Sequence, residues 1–374
     1  MTTNNQLNPK KLPIVLVLQG GGALGAYQAG VYHAMHEHDL VPDWIVGTSI
    51  GAINAALIAG NRQENRLTRV RQFWDRVSHD DNFNMNWVGE DLRRSNIWLN
   101  TVDTVLKGAP GFFKPRMFSG FSLGMKVAPE HASFYDTSPL NDTMQELVDF
   151  DYLNRDKDIR LTISAVNVGT GDLTHFDSHS GSLCADHVRA SGSLPPAFAG
   201  VRIDGELYWD GGLYSNTPLE SVLRELPKGD TLCFMVDLWS ADGAEPDNIE
   251  AVRTRLKDVT YASRSRRHIE DYALTHRMQR KLRELYARLP PQSCTEKDEK
   301  DLLELGCAST LHIVRLPYSG HDWNMAAKDI NFSKGSNNWR WDQGYADAMR
   351  ALKSALWLQH VTDDTSVVVH ELLS

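Results

Sequence analysis

The 374 residues suffice for one large domain or two ordinary ones, and apolar and charged fractions of 41% and 23% exclude extensive disorder and a polytopic membrane protein. A formal charge of −9 offers no basic footprint over the domain, so nucleic acid is not expected as a partner. Four scattered cysteines without C-x-x-C spacing (Cys184, Cys233, Cys294, Cys307), and no apolar run long enough to span a bilayer, predict free thiols, a cytoplasmic location and membrane contact only from outside.

In chain order, 1–13 reads as a polar tail. Ile14 to Leu18 is a β-branched and leucine run suited to a strand buried on both faces of a parallel sheet. It breaks into Gly20-Gly21-Gly22, and Tyr27, Val31, Ala34 and Met35 then recur at helical spacing. The pattern repeats at once: Trp44 to Val46 is a short strand, Gly47-Thr48-Ser49-Ile50-Gly51 a sharp turn, and Ala52 to Ala59 an alanine-rich helix closed by Gly60. Two strand-turn-helix units in succession predict an α/β fold.

Beyond them, 66–77 suits a helix, whereas Phe112 to Val127 has no clear period; Phe112, Phe113, Phe118 and Phe121 read as either a lipid-facing cover or plain core. Leu161 to Val166 is a strand leading into a hairpin at Gly169 to Asp172. A second hairpin turns at Asp204-Gly205 and runs into Asp210-Gly211-Gly212. Thr231 to Leu238 is a further buried strand. After residue 240 the composition changes to helix over 249–289 and again over 331–358, giving the expected division: tail 1–13, catalytic domain 14–240, and a mostly helical extension 241–374 packed on the core.

Three segments carry chemistry. Gly47-x-Ser49-x-Gly51 joins a strand to a helix, where two glycines permit the tight turn that exposes a serine hydroxyl. Gly20-Gly21-Gly22 ends a strand and opens a helix, so its amides can converge on a tetrahedral oxyanion. The rival reading is phosphate binding through Gly20, Gly22 and Gly25 with Asp43 as the acid, a nucleotide-binding or scaffold protein without turnover. Asp210, leaving a strand on Gly211-Gly212, is free to approach a serine as its base. At a solution pKa of about 4 it is too weak for that work, so a partly desolvated site is required.

These segments, with Ala190-Ser191-Gly192-Ser193-Leu194-Pro195 ahead of the aspartate, resemble in order and setting those of the patatin-like phospholipases over about Ile14 to Leu238. The tail from Lys328 to Leu352 resembles the C-terminal extension of a bacterial branch of that family. The resemblance implies a three-layer α/β/α sheet, mostly parallel, with a helical extension. It also implies a Ser49-Asp210 dyad, an oxyanion hole at Gly20, Gly21 and Gly22, and no cofactor or metal. One departure stands out: the family loop commonly carries Arg or Lys where this chain has Leu24.

Fourteen histidines keep a Ser-His-Asp unit as an alternative, but His175, His187 and His321 have no recognisable setting, and a metal at His175 and His179 has no further ligand cluster nearby. Between Arg253 and Arg288 lie eleven Lys or Arg against four Asp or Glu; such a segment could rest on an anionic membrane surface, on another subunit of a homo-oligomer, or face solvent. The expected activity is acyl-ester hydrolysis of a phospholipid or glyceride through an acyl-enzyme. Acyl transfer and hydrolysis of a hydroxyacid polyester are alternatives that use the same dyad.

Overall fold

The computed structural model describes residues 12–81, 90–116, 124, 126–225, 229–262, 264–286, 288–290, 310–318, 327–354 and 367–371. The strands are β1 (Ile14–Leu18), β2 (Trp44–Thr48), β3 (Lys114–Pro115), β4 (Tyr135–Asp136), β5 (Arg160–Asn167), β6 (Leu173–Asp177), β7 (Val201–Ile203), β8 (Glu206–Asp210), β9 (Thr231–Asp237), β10 (Leu311–Pro317) and β11 (Val367–Glu371). The first half carries helices α1 (Gly25–Glu37), α2 (Ile50–Ala59), α3 (Gln63–Val77), α4 (Glu90–Lys107), α5 (Ser138–Leu147) and α6 (Phe150–Arg155). The second carries α7 (Ala185–Ser191), α8 (Leu219–Arg224), α9 (Ile249–Tyr261), α10 (Ser265–Tyr286) and α11 (Lys334–Ser354).

Nine strands form one sheet in the order β11-β10-β9-β1-β2-β5-β8-β7, with β6 also paired to β5. From β11 to β5 every pairing is parallel; β6, β7 and β8 join antiparallel. Side-chain alternation along the central strands builds two cores. Leu16, Leu18, Ile45, Ile163 and Phe234 face a layer containing α1, α2, α3 and α11. Val15, Val17, Val46, Cys233 and Met235 face Leu219 and Val222 of α8, with Ile269 of α10 alongside. The result is the three-layer α/β/α arrangement, with both faces of the parallel strands covered, as continuous apolar runs require.

The segment beyond residue 240 contributes more than helices. Strands β10 and β11 extend the same sheet from β9, and α11 crosses α1 with the backbones in close approach. A side chain at Gly30 would overlap the carbonyl of Trp341, and one at Gly344 would overlap that of Tyr27, so the crossing depends on both glycines. The buried Tyr27 hydroxyl donates to Asp347 at 2.8 Å across the same contact.

Register on β5 sets up the site. Thr48, the last residue of β2, pairs with Ser164, and Asp210, the last of β8, pairs with Ala165. Since β6 occupies the opposite edge of β5, pairing with both Thr162 and Ala165, β2 and β8 share one edge. They run in opposite directions along it and meet head to head.

Candidate active site

Where β2 ends, Ser49 takes φ 57° and ψ −124°, a conformation that non-glycine residues avoid and that costs on the order of 1–3 kcal/mol. The flanking glycines make it possible: a side chain at Gly47 would strike the backbone of Gly51, and one at Gly51 that of Leu18. Ser49 thus caps α2 with its side chain pointing away from the helix amides, since it makes no cap hydrogen bond.

The turn is held by a buried hydroxyl. Ser191, at the end of α7, accepts the Ser49 N–H at 2.9 Å and donates to the Ser164 carbonyl at 2.7 Å. Two residues on, the Ser193 carbonyl accepts the Asp210 N–H at 3.0 Å. The 190–195 segment therefore fixes both chain ends that β5 brings together.

Asp210 is buried, and its carboxylate accepts hydrogen bonds from the Ser49 side chain and, at 2.7 Å, from the Gly212 N–H. Burial pushes its pKa up to about 7; those two hydrogen bonds oppose the rise but do not cancel it. Gly211 and Gly212 supply this turn, and a side chain at Gly211 would strike the Ser164 backbone.

The glycine loop lies against this pair with one difference from the expected oxyanion hole. The Gly20 N–H is already committed to the Asn216 carbonyl at 3.1 Å, so Gly20 cannot donate to a ligand there. Gly21 and Gly22 have no such amide partner among the described residues. The Gly20 carbonyl is in turn held by Trp239 Nε1 at 2.8 Å and Asn216 Nδ2 at 3.1 Å. Beneath the loop, Gln19 Nε2 donates to the Tyr261 carbonyl, its Oε1 accepts from the Leu238 and Trp239 amides, and Gln28 donates to the Gln19 carbonyl. Such a fully paired buried network keeps loop amides aimed in one direction.

Ser49, Asp210, Gly21 and Gly22 open into a cavity of about 400 Å³ walled largely by Ile50, Val105, Phe112, Phe113, Leu194 and Phe198. Phe112 and Phe113 pack edge-on with Phe332 and Tyr135 contacts close by, so both are cavity wall and core at once. Phe118 and Phe121 fall outside the described residues. An apolar cleft converging on a serine, a raised carboxylate and free amides is suited to an acyl chain with its ester at the polar end.

Residues 16–223, more than half of the chain, match the family described as Patatin-like phospholipase. The chain belongs to the patatin-like phospholipase family. Residues 259–364 match a second family, described as Patatin phospholipase. Patatin-like phospholipase domain-containing protein 7 of Mus musculus is 29% identical over 238 residues, covering 63% of this chain and 14% of that protein. Lysophospholipase NTE1 of Eremothecium gossypii is 24% identical over 248 residues, covering 62% of this chain and 12% of its own length. This chain thus spans about a seventh of the curated relatives it matches. Among solved structures, VipD from Legionella pneumophila aligns at TM-score 0.42 and 13% identity, over 96% of this chain and 72% of that one.

In this patatin-like chain the loop position that lacks a cation, Leu24, is fully buried. A guanidinium reaches the loop from elsewhere: Arg340 of α11, itself fully buried, donates to the Ala23 carbonyl at 3.2 Å, to Asn331 at 2.9 Å and to Lys328 at 2.8 Å. Asp329 accepts the Ala23 N–H at 2.8 Å, and its carboxylate is paired to Lys257 at 2.7 Å. The extension therefore clamps the glycine loop from outside the region of the first family match. No sequence pattern marked Arg340, because the loop carbonyl it serves, that of Ala23, lies more than three hundred residues away.

Among the described residues no histidine lines the cavity. His175 bonds the Ser164 hydroxyl at 3.0 Å and neighbours Ser221, and burial lowers its pKa. Asp177, between His175 and His179, is paired to Arg160 at 2.8 Å. Among the described residues no group of three His, Cys, Asp or Glu side chains could hold a metal ion. His187 bonds the Cys184 amide at 3.0 Å, and His321 is outside the described residues.

Proposed function

We propose that this protein hydrolyses acyl esters of lipids through Ser49 and Asp210. The observation that carries the reading is the buried Asp210 carboxylate, with pKa about 7, hydrogen-bonded to a serine held on a strained turn at the head of an apolar cavity. A base titrating near neutrality is matched to accepting the hydroxyl proton. The names of the relatives, a phospholipase-domain protein and a lysophospholipase, support a lipid ester as substrate.

The Ser49 proton passes to Asp210 as Oγ attacks the ester carbonyl, and the Gly21 and Gly22 amides receive the oxyanion. Collapse expels the alcohol, which takes the proton from Asp210, and leaves an acyl-serine. Water then attacks that ester, its proton moving to Asp210 and back to Ser49 as the fatty acid leaves. In this reading 14–240 carries the chemistry and 241–374 braces it. Cys184 and Cys233 are free thiols, which fits a reducing compartment, and we place the enzyme in the cytoplasm.

Ser49→Ala and Asp210→Asn are each expected to abolish hydrolysis of a p-nitrophenyl acyl ester while unfolding as cooperatively as the parent. Retained turnover in either variant overturns the dyad. Product analysis over phospholipids, glycerides and hydroxyacid oligomers, with and without an alcohol acceptor, then separates the substrate classes and distinguishes hydrolysis from acyl transfer.

A further inference from the structure

Nine of the seventeen exposed large hydrophobic side chains among the described residues lie between Ile249 and Leu289, too concentrated for random scatter. On α9 they are Ile249 (77% exposed), Val252, Leu256 (66%) and Val259, which at 3.6 residues per turn share an arc of about 80°. On α10 Leu274, Met278 (57%), Leu282 and Leu285 (58%) share an arc of similar width, and Leu289 follows. Each helix has an opposite side tied to the core. Thr254 of α9 is buried while Lys257 and Tyr261 line the cavity; Ile269 and His276 of α10 pack inward. The apolar arcs are thus outer faces.

Their flanks are basic. Residues 264–288 hold eight Lys or Arg against three Asp or Glu, in a chain whose net charge is −9. Arg277, Lys281 and Arg288 are exposed on one side of the α10 arc, with Lys281 also reaching Glu284 at 2.7 Å. On α9 Arg253 borders the arc, 3.9 Å from Glu250. Arg255 borders the other side and bonds the carbonyls of Ser240 and Ala241.

We infer that α9 and α10 form a docking surface for an anionic lipid bilayer. Acyl chains accept the apolar arcs and anionic head groups accept the flanking cations, a pairing that answers both features at once. The same helix that presents Leu256 outward presents Lys257 and Tyr261 to the cavity, so a docked α9 lies between the bilayer and the cavity. Docking of this kind depends on the surface of α9 and α10 alone and is measured without turnover.

The test uses the full chain carrying Ser49→Ala, floated with vesicles of phosphatidylcholine alone or with roughly a third phosphatidylglycerol. Strong flotation with the anionic vesicles only is expected. Leu256→Asp with Val259→Asp, Met278→Asp with Leu282→Asp, and Arg277→Glu with Lys281→Glu and Arg288→Glu should each weaken it at least about tenfold, since each basic residue near such a surface contributes roughly fivefold. The same substitutions in the Ser49 parent should leave hydrolysis of a soluble short-chain ester and the melting temperature unchanged. Undiminished flotation of the variants or equal flotation with neutral vesicles overturns the inference. So does a concentration-dependent dimer in light scattering, abolished by Met278→Asp with Leu282→Asp, in a protein that does not float; the face would then belong to a second copy.

Discussion

The Ser191 hydroxyl accepts a hydrogen bond from the backbone N–H of Ser49 and donates one to the Ser164 carbonyl, so one side chain ties the strained turn to the neighbouring strand. Ser191→Ala leaves a buried amide and a buried carbonyl without that partner, a loss of about 1–3 kcal/mol. The expected outcome is lowered stability in urea and a kcat reduced tenfold or more with KM little changed. Parallel unfolding and steady-state measurements check it; full kcat in the variant would show that the turn holds without the bridge.

Asp210 titrates at about 7 in the folded protein against an ordinary 3.8. The fold favours its neutral form, so that contribution to stability is complete below the unfolded value near pH 4 and is lost as pH rises through 7. The ionised form is the base, so kcat/KM should rise over the same interval and level off above it. Asp210→Asn cannot ionise, and its stability relative to the parent should improve between pH 4 and 8, with a ceiling on the order of 4 kcal/mol. Denaturation midpoints at several pH values read this directly.

The hydrogen bond from Ser49 holds the Asp210 pKa down, against burial. In Ser49→Ala that restraint is gone, so the carboxyl should titrate above its value in the parent. Carbon-detected NMR of the labelled aspartate measures the shift, and a downward movement would place the hydroxyl's influence elsewhere.

Arg340 donates to three carbonyls, one in the glycine loop and two in the 328–331 segment that packs on it, and is itself fully buried. Arg340→Met strands several buried carbonyls and should cost about 3 kcal/mol or more. Arg340→Lys restores a charge but not the fork, so it should recover stability only partly. If the guanidinium also aims the loop, both variants lose kcat more than KM at temperatures where they remain folded. Stopped-flow acylation with an activated ester separates this from simple unfolding.

Restoring a cation to the loop should fail. Leu24 is fully buried, and the Ala23 carbonyl beside it is already served by Arg340. Leu24→Arg places a charge in a closed apolar site and should lower the melting temperature by several degrees, without a gain in turnover of phospholipid.

The early units were legible because their chemistry is local. Five consecutive apolar residues at Ile14 to Leu18 and the glycine spacing around Ser49 specify a buried strand and a turn without help from distant contacts. Asp204 and Gly205 both take positive φ in a tight hairpin, as their residue types suggested. What escaped notice depends on tertiary partners. The strands at 311–317 and 367–371 exist because β9 offers an edge, and the loss of the Gly20 amide depends on Asn216, almost two hundred residues away in sequence. Arg340 matters through the Ala23 carbonyl, and Ser191, within a segment that the resemblance did mark, through Ser49 and Ser164, partners that no spacing rule connects to them.

The head-to-head meeting of β2 and β8 makes β5 a ruler. Ser49 and Asp210 stay neighbours because Ser164 and Ala165 are consecutive, whatever the length of chain looped out between the two strands. The exposed connections between β2 and β5 can therefore change in length while the reacting atoms keep their spacing. A slip of β8 by one residue, by contrast, would turn Asp210 to the other face of the sheet.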